Sequence, residues 1–145
     1  PLKNRWEILG TDINESVIER ARNALYPIEA SQKIPESYLK KYCLKGVRSQ
    51  YGKFTVNDDL KKRVTFKYMN LNDKFSSIGM FHVVFLRNVM IYFDQETKIS
   101  LIEKIYNVIE PNGYLILGHS ENLNNITRKF KTIVPTVYKK AGDER

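Results

Sequence analysis

Polar residues that could bind a ligand follow several short apolar segments of this sequence, at points where strands would end. The corresponding loops begin at Asp12, Asn70, Leu86 and Leu117. In open sheets of parallel strands, ligands bind beyond the carboxyl ends of the strands. The residue types in these four loops therefore indicate which chemistry the protein can perform.

Asp12 and Asn70 carry side chains suited to the sugar and the base of a nucleoside. A carboxylate at the end of a strand can accept two hydrogen bonds from ribose hydroxyl groups. The Asn70 amide can bond to an adenine edge while Leu71 packs on the ring. Each pattern also has a simpler interpretation, with Asp12 as a helix cap and Asn70 as an ordinary turn residue. The residues alone leave both interpretations open.

The segment Arg87–Phe93, with the sequence RNVMIYF, places three polar groups and two aromatic rings just beyond an apolar strand. Tyr92 can pack beside a cofactor or orient a substrate. The alternative is a hydrophobic turn from strand to helix, with Tyr92 and Phe93 in the core.

The segment Gly118–Asn122 contains His, Ser and Glu, but it does not predict a hydrolase. Adjacent residues on an extended segment cannot converge on each other, and the sequence has no G-x-S-x-G elbow. A loop that closes the floor of a pocket is the better interpretation. The histidines, His82 and His119, and the single Cys43 have no zinc-binding spacing, so we expect no metal site.

Strands and helices alternate along the chain, which predicts an α/β fold with a largely parallel sheet. The strands are predicted at Trp6–Asp12, Val64–Tyr68, Met80–Leu86, Tyr114–Leu117, Phe130–Val134 and Thr136–Lys139. Helices are predicted from Asn14 to Pro27, from Pro35 to about Leu44, and from about Gln95 to Val108 with Asp94 as the cap. The continuous apolar run at Met80–Leu86 indicates a strand buried on both faces. Residues 47–63 predict a small antiparallel hairpin, and Pro111–Gly113 a turn.

Composition limits the class of protein. The chain has 145 residues and a net charge of +8, with no apolar run long enough to cross a membrane. We therefore expect one domain with no membrane insertion. The N-terminus lacks the features of a signal peptide and a lone cysteine cannot form an internal disulfide, which together favour the cytoplasm. A basic surface favours an acidic partner.

Several segments, in this order and spacing, resemble the chemotaxis-receptor (CheR-type) methyltransferases. They are GTDIN at Gly10–Asn14, ERARNALYP at Glu19–Pro27, IPESYLKKYCLKG at Ile34–Gly46, VTFKYMNL at Val64–Leu71, FHVVFLRNVMIYFD at Phe81–Asp94 and GHSENL at Gly118–Leu123. The resemblance implies a Rossmann-like class I methyltransferase sheet with a small antiparallel β-subdomain, here residues 44–63, inserted in a catalytic domain that spans residues 1–145.

The resemblance also implies a reaction and a site. The family transfers a methyl group from S-adenosylmethionine to glutamate side chains of methyl-accepting chemoreceptors, leaving S-adenosylhomocysteine. Cofactor-binding positions of the family match Asp12, Asn70, Leu71, Arg87 and Asn88. Tyr92 matches a tyrosine near the transferred methyl group, and it is the candidate catalytic residue. In some members the β-subdomain docks a receptor peptide by strand addition.

The chain departs from the family in one important respect. The family's first strand and its glycine-rich loop would precede Trp6, and this segment is absent, so the sequence resembles a fragment with an incomplete sheet. That strand lies between the strands at Trp6–Asp12 and Met80–Leu86, and each of these would expose an edge. We therefore predict that the chain oligomerises, swaps strands or is marginally stable.

Two other functions remain as alternatives at this stage. One is a non-catalytic module of the same fold that senses S-adenosylmethionine or docks a signalling partner. The other is a nucleic-acid methyltransferase, which the basic charge favours. The loop Arg87–Tyr92 has no Pro-Pro-Tyr motif, however, so we expect no nucleic-acid substrate.

Overall fold

The computed structural model describes residues 6–75 and 78–141. The chain divides into two compact units, Pro1–Asn70 and Leu71–Arg145. In the described residues the first unit contains five strands and three α-helices, and the second contains four strands and one α-helix. Alternating strands and helices confirm the α/β class expected from the sequence. The expected largely parallel sheet is wrong for the described residues, because they form three sheets with two parallel and four antiparallel strand pairs.

A two-stranded parallel sheet forms the centre of the first unit. It pairs β1 (Ile8–Asp12) with β5 (Val64–Tyr68) in register. At Gly10 the sheet leaves no room for a side chain, because an added Cβ would lie 2.7 Å from the ring of Phe66. Helix α1 (Glu15–Asn23) follows β1, and the Asn14 side chain accepts hydrogen bonds from the first backbone N–H groups of the helix.

Helix α1 ends earlier than the sequence predicted. Ala24 adopts a left-handed conformation, with φ of 50°, and its N–H bonds to carbonyl groups of the last turn. The residues before Pro27 then form a strand, β2 (Leu25–Pro27), instead of more helix. The helix is therefore terminated by its own C-cap and not by the proline.

The hairpin predicted at residues 47–63 is wrong in its bounds, because only one strand lies in that range and it belongs to a three-stranded antiparallel sheet. Its strands are β2, β3 (Cys43–Lys45) and the central β4 (Lys53–Val56), in the order β2-β4-β3. Helix α2 (Glu36–Tyr42) leads directly into β3, and a short helix α3 (Asp58–Lys61) follows β4. Two strands of this sheet therefore come from outside residues 47–63, because sequence-distant segments complete the pairing.

The second unit is a four-stranded mixed sheet with one long helix on it. The strand order is β6-β7-β9-β8, with β6 and β7 parallel and the other pairs antiparallel. The strands and helix are β6 (Phe81–Leu86), α4 (Gln95–Val108), β7 (Ile109–Leu117), β8 (Phe130–Val134) and β9 (Val137–Lys140). Asp94 caps α4 through a hydrogen bond from the Thr97 N–H, as predicted.

The core of the second unit lies between α4 and one face of this sheet. Its buried residues are Leu86, Met90, Leu101, Ile102, Ile105, Ile109, Leu115, Leu117, Leu123, Phe130 and Tyr138. The prediction that the β6 segment is buried on both faces is wrong for the described residues, because Val83 and Phe85 are 42% and 69% exposed. The predicted turn at Pro111–Gly113 is instead the irregular start of β7.

Candidate functional site

Asp12 and Asn70 lie at the same end of the small parallel sheet in the first unit. Asp12 is the last residue of β1 and is paired with Tyr68 at the end of β5. Its carbonyl group accepts a 3.0 Å hydrogen bond from the Met69 N–H. Asn70 follows one residue later, so both side chains start from the carboxyl end of parallel strands, as the sequence predicted.

The Asp12 carboxylate has a structural contact of its own. Its Oδ1 atom accepts a 2.8 Å hydrogen bond from the Asn14 N–H, which fixes the turn into α1. The helix cap is Asn14, not Asp12. Among the described residues no hydrogen bond reaches Oδ2 of Asp12, so one carboxylate oxygen remains for ligand hydroxyl groups.

Leu71 begins the second unit and is held by a lysine from α4. The Lys104 ammonium donates hydrogen bonds to the carbonyl groups of Leu71 and Asp73, the latter at 3.0 Å. The same ammonium lies 5.2 Å from the centre of the Phe75 ring. Three contacts from one cation therefore fix the path of the chain after Asn70, while the Leu71 side chain packs against the core.

The segment after β6 presents polar side chains to solvent on a firmly anchored backbone. Arg87 and Asn88 are exposed, and Tyr92 is 80% exposed. Met90 is only 2% exposed and anchors the segment in the core. The alternative that placed Tyr92 in the core is therefore wrong, because the short 3₁₀ turn Met90–Tyr92 directs Met90 inward instead.

A single carboxylate, that of Glu121, holds this segment from inside. Its Oε2 atom accepts hydrogen bonds from the N–H groups of Asn88 at 2.8 Å and Gly118 at 2.9 Å. Its Oε1 atom accepts from Val89 and Met90, both at 2.8 Å. Glu121 is 6% exposed and is the one buried charged side chain in the described parts of the chain.

These hydrogen bonds keep the buried Glu121 side chain ionised. Burial alone would raise the pKa of the carboxyl group, but the four backbone N–H donors outweigh burial and the net pKa is below its usual value. Gly118 makes room for this arrangement. A Cβ there would lie 2.6 Å from Asn88 Oδ1 and 2.7 Å from Glu121 Oε2.

Sequence reasoning missed the roles of Glu121 and Lys104. The only sequence signal for Glu121 was an acidic residue three positions after a glycine at the end of an apolar strand. Nothing in that pattern identifies hydrogen-bond partners 31 to 33 positions away. Lys104 is one of several lysines in the chain, and its sequence gives no signal that it binds the carbonyl groups of Leu71 and Asp73.

The six predicted site residues fall into two groups, each ordered by its own unit. Asp12 and Asn70 belong to the first unit, whereas the other four belong to the second unit: Leu71, Arg87, Asn88 and Tyr92. The first group offers a carboxylate and an amide, and the second offers a guanidinium, an amide and a phenol, which are groups able to form hydrogen bonds with a ligand. In the described ranges no group of three His, Cys, Asp or Glu side chains could hold a metal ion.

Comparison with known proteins identifies the family. Residues 2–139 match the family model described as "CheR methyltransferase, SAM binding domain". The chain is 40% identical over 135 residues to a chemotaxis protein methyltransferase of Borreliella burgdorferi, covering 92% of this chain and 46% of that protein. It is 33% identical over 141 residues to one of Salmonella typhimurium, covering 97% of this chain and 49% of that protein. The chain thus spans about half the length of these relatives.

Together, the α/β fold and this match define a Rossmann-like methyltransferase domain whose cofactor is S-adenosylmethionine. Within that class, the chain belongs to the CheR methyltransferase family.

The residues present fit this cofactor. The uncommitted oxygen of Asp12 suits ribose hydroxyl groups. The exposed side chains of Arg87 and Asn88 belong to a backbone segment that Glu121 holds in place.

No helix in residues 6–75 and 78–141 has the length and apolar character needed to span a bilayer.

Proposed function

We propose that the protein containing this domain transfers the methyl group of S-adenosylmethionine to glutamate side chains of chemoreceptors. The observation that carries the proposal is the set of exposed side chains of Arg87, Asn88 and Tyr92 on a backbone held by Glu121, in a domain that matches the CheR family over residues 2–139. The relatives are named chemotaxis protein methyltransferases, which supports a role in the same process.

The chemistry needs alignment more than acid–base catalysis. Bound S-adenosylmethionine supplies an electrophilic methyl group, and its transfer to a carboxylate leaves a methyl ester and the thioether S-adenosylhomocysteine. A glutamate carboxylate is already ionised at neutral pH, so the site needs no strong base. Holding the reacting atoms in line and excluding water lowers the barrier.

Each site residue has a proposed role that follows the family resemblance. Asp12 binds the ribose hydroxyl groups, and Asn70 with Leu71 binds the adenine. Arg87 and Asn88 contact the cofactor, and Tyr92 lies near the transferred methyl group. The 80% exposure of Tyr92 supports a role at a surface that a protein substrate can reach.

The domain organisation is part of the same proposal. Residues 1–145 form the catalytic domain, with residues 44–63 as the inserted β-subdomain. The three-stranded sheet that overlaps residues 44–63 has β2 and β3 as its edge strands, with three residues each. A free edge of this kind is what strand addition by a receptor peptide requires.

The chain's own association is proposed from its unpaired edges. In the described residues β1 pairs only with β5, and β6 pairs only with β7. Edges of this kind favour pairing with another strand, so we propose that the isolated chain oligomerises or swaps strands.

The cytoplasmic location and the absence of a nucleic-acid substrate stay predictions.

Calorimetric titration with S-adenosylhomocysteine tests the proposed site. We expect Asp12→Ala to weaken binding at least about tenfold, because a charged acceptor of two hydroxyl groups is lost. We expect Tyr92→Phe to keep the affinity but to lower the rate of methyl transfer to a receptor fragment. The titration is made on the 145-residue chain and on the full-length product of its gene.

Matched controls separate the site from general surface effects. Asp59→Ala removes an exposed carboxylate that is not among the candidate site residues, and Tyr51→Phe alters a tyrosine that is 81% exposed, close to the 80% of Tyr92. Both controls should bind and react as the wild type does. No binding in the full-length protein would contradict the proposal. Binding without methyl transfer would favour the non-catalytic sensor.

A further inference from the structure

The N–H groups of Asn88, Val89 and Met90 converge on one point behind the candidate cofactor-binding residues. Asn88 is in the left-handed region, with φ of 58°, and Val89 is in the right-handed helical region. Consecutive residues in these two conformations turn their N–H groups to the same side and form an anion-binding nest. In this protein the nest is filled by the protein's own carboxylate, Glu121.

The same carboxylate ties the nest to the end of β7. Its Oε2 atom also accepts the Gly118 N–H at 2.9 Å. β6 and β7 are neighbouring parallel strands, so the two loops that follow them are joined through one side chain. The conformation that exposes Arg87 and Asn88 therefore depends on an ion contributed by the neighbouring loop.

We propose that Glu121 is a positioning residue for cofactor binding, whose carboxylate holds the backbone of residues 88–90 so that Arg87 and Asn88 face the cofactor. This role rests on the proposed function, because Arg87 and Asn88 bind the cofactor only if that function holds. Glu121 itself has no contact with the reacting groups in this role. Glu121 is buried, and both of its oxygens already accept hydrogen bonds from backbone N–H groups, so it cannot bind a ligand as well.

An ionised carboxylate suits this position and an amide does not. The two oxygens of Glu121 accept four N–H donors. In Glu121→Gln an NH₂ group replaces one of the two oxygens. An NH₂ group only donates hydrogen bonds, so the two backbone N–H groups at that position lose their acceptor. Buried donors left without an acceptor destabilise the conformation that buries them, so the segment should shift or open.

The test compares Glu121→Gln with Lys140→Met, a control at the other end of β7. The Lys140 ammonium bonds to the carbonyl groups of Tyr106 at 2.9 Å and Ile109 at 2.6 Å, and it has no part in the candidate site. Both variants should lose stability. S-adenosylhomocysteine affinity and amide hydrogen exchange are measured on the full-length protein at a temperature where all the proteins are folded.

We expect Glu121→Gln to weaken S-adenosylhomocysteine binding at least about tenfold. A displaced Arg87 or Asn88 would lose a hydrogen bond to the ligand, and the loss of one charge-assisted hydrogen bond has about this effect. The amides of Asn88, Val89 and Met90 should exchange faster, and KM for S-adenosylmethionine should rise more than kcat falls. Lys140→Met should change none of these quantities. Wild-type affinity in a folded Glu121→Gln protein would overturn the proposal and leave Glu121 with a stabilising role only.

A second variant decides the question if Glu121→Gln does not fold. Gly118→Ala keeps the carboxylate but adds a methyl group 2.6 Å from Asn88 Oδ1 and 2.7 Å from Glu121 Oε2, so it disturbs the place where the carboxylate holds the Asn88 backbone. We expect the same loss of affinity and the same faster exchange, and unchanged affinity would again overturn the proposal. Failure of the wild-type protein to bind S-adenosylhomocysteine is a separate result, which would contradict the proposed function and with it this role.

Discussion

At the scale of single residues, Asn88 shows that backbone conformation limits which side chains this site can use. Its φ of 58° lies in the left-handed region, which asparagine tolerates better than most residues with a Cβ. The conformation is what turns its N–H toward Glu121 Oε2. Asn88 therefore has two roles: it adopts the left-handed conformation that this turn requires, and its side-chain amide is available to bind a ligand.

Replacing Asn88 separates these two roles. Asn88→Gly and Asn88→Ala both remove the amide, but only glycine adopts this φ without strain. We expect Asn88→Ala to be less stable than Asn88→Gly by about 1 kcal/mol in urea unfolding. Both variants should lose S-adenosylhomocysteine affinity to a similar extent.

Asn122 provides the control pair for this comparison. It is exposed in the neighbouring loop and is not among the residues with positive φ. At Asn122 the glycine variant should be no more stable than the alanine variant, because glycine only adds freedom to the unfolded chain. The same order of stability at both positions would contradict the argument from φ.

At the scale of elements, α4 supports two of the candidate loops, one through its N-cap and one through a lysine in its interior. Asp94 caps its start directly after the Arg87–Phe93 segment, and hydrogen bonds from Thr97 hold the pKa of that carboxyl group below its usual value. Further along the helix, Lys104 reaches back to the chain after Asn70. One helix thus orders both the loop that follows β6 and the loop that contains Leu71.

Removal of the Lys104 charge tests this second function of α4. We expect Lys104→Met to lower the free energy of unfolding by about 1 kcal/mol and to speed amide exchange in residues 71–75, because two carbonyl groups lose their donor. Lys131→Met, which removes an exposed lysine from β8, is the control and should change neither quantity. Unchanged exchange in Lys104→Met would show that the core packing of Leu71 is sufficient to order this loop.

At the scale of the whole molecule, the described residues leave apolar strand surface uncovered. Only one face of the sheet in the second unit packs against α4, and β6 has a free edge in the described structure. Val83 and Phe85 on this strand are 42% and 69% exposed. Apolar side chains on a free edge strand are a site of association in water.

Association of the isolated chain can be measured directly. We expect light scattering after size-exclusion chromatography to show an apparent mass that rises with protein concentration. Phe85→Lys should lower it, because a charge on an edge strand opposes pairing. Tyr51→Lys, at a side chain that is 81% exposed and outside the strands, should have no effect. A monomeric wild-type chain at all concentrations would contradict the proposal.

Residue patterns alone were sufficient to predict the two helix caps, the bounds of some elements and the family. Asn14 and Asp94 are of residue types that favour N-cap positions, each stands directly before an amphipathic segment, and both caps are confirmed. β5 and α4 have the predicted bounds, because apolar spacing and flanking turn residues act over a few positions. The motifs at Arg87–Asp94 and Gly118–Leu123 were sufficient to identify the CheR resemblance that the family model confirms.

Contacts between distant segments became known only from the folded structure. Glu121 is one acidic residue among many until folding places three N–H groups of another loop around it. Leu25–Pro27 becomes a strand because β4 offers it hydrogen-bond partners, although Pro27 had predicted only a helix end. Phe85 is exposed because strand hydrophobicity does not specify what covers a sheet face. Each of these outcomes depends on contacts between segments that are far apart in the chain. Local residue patterns do not predict such contacts.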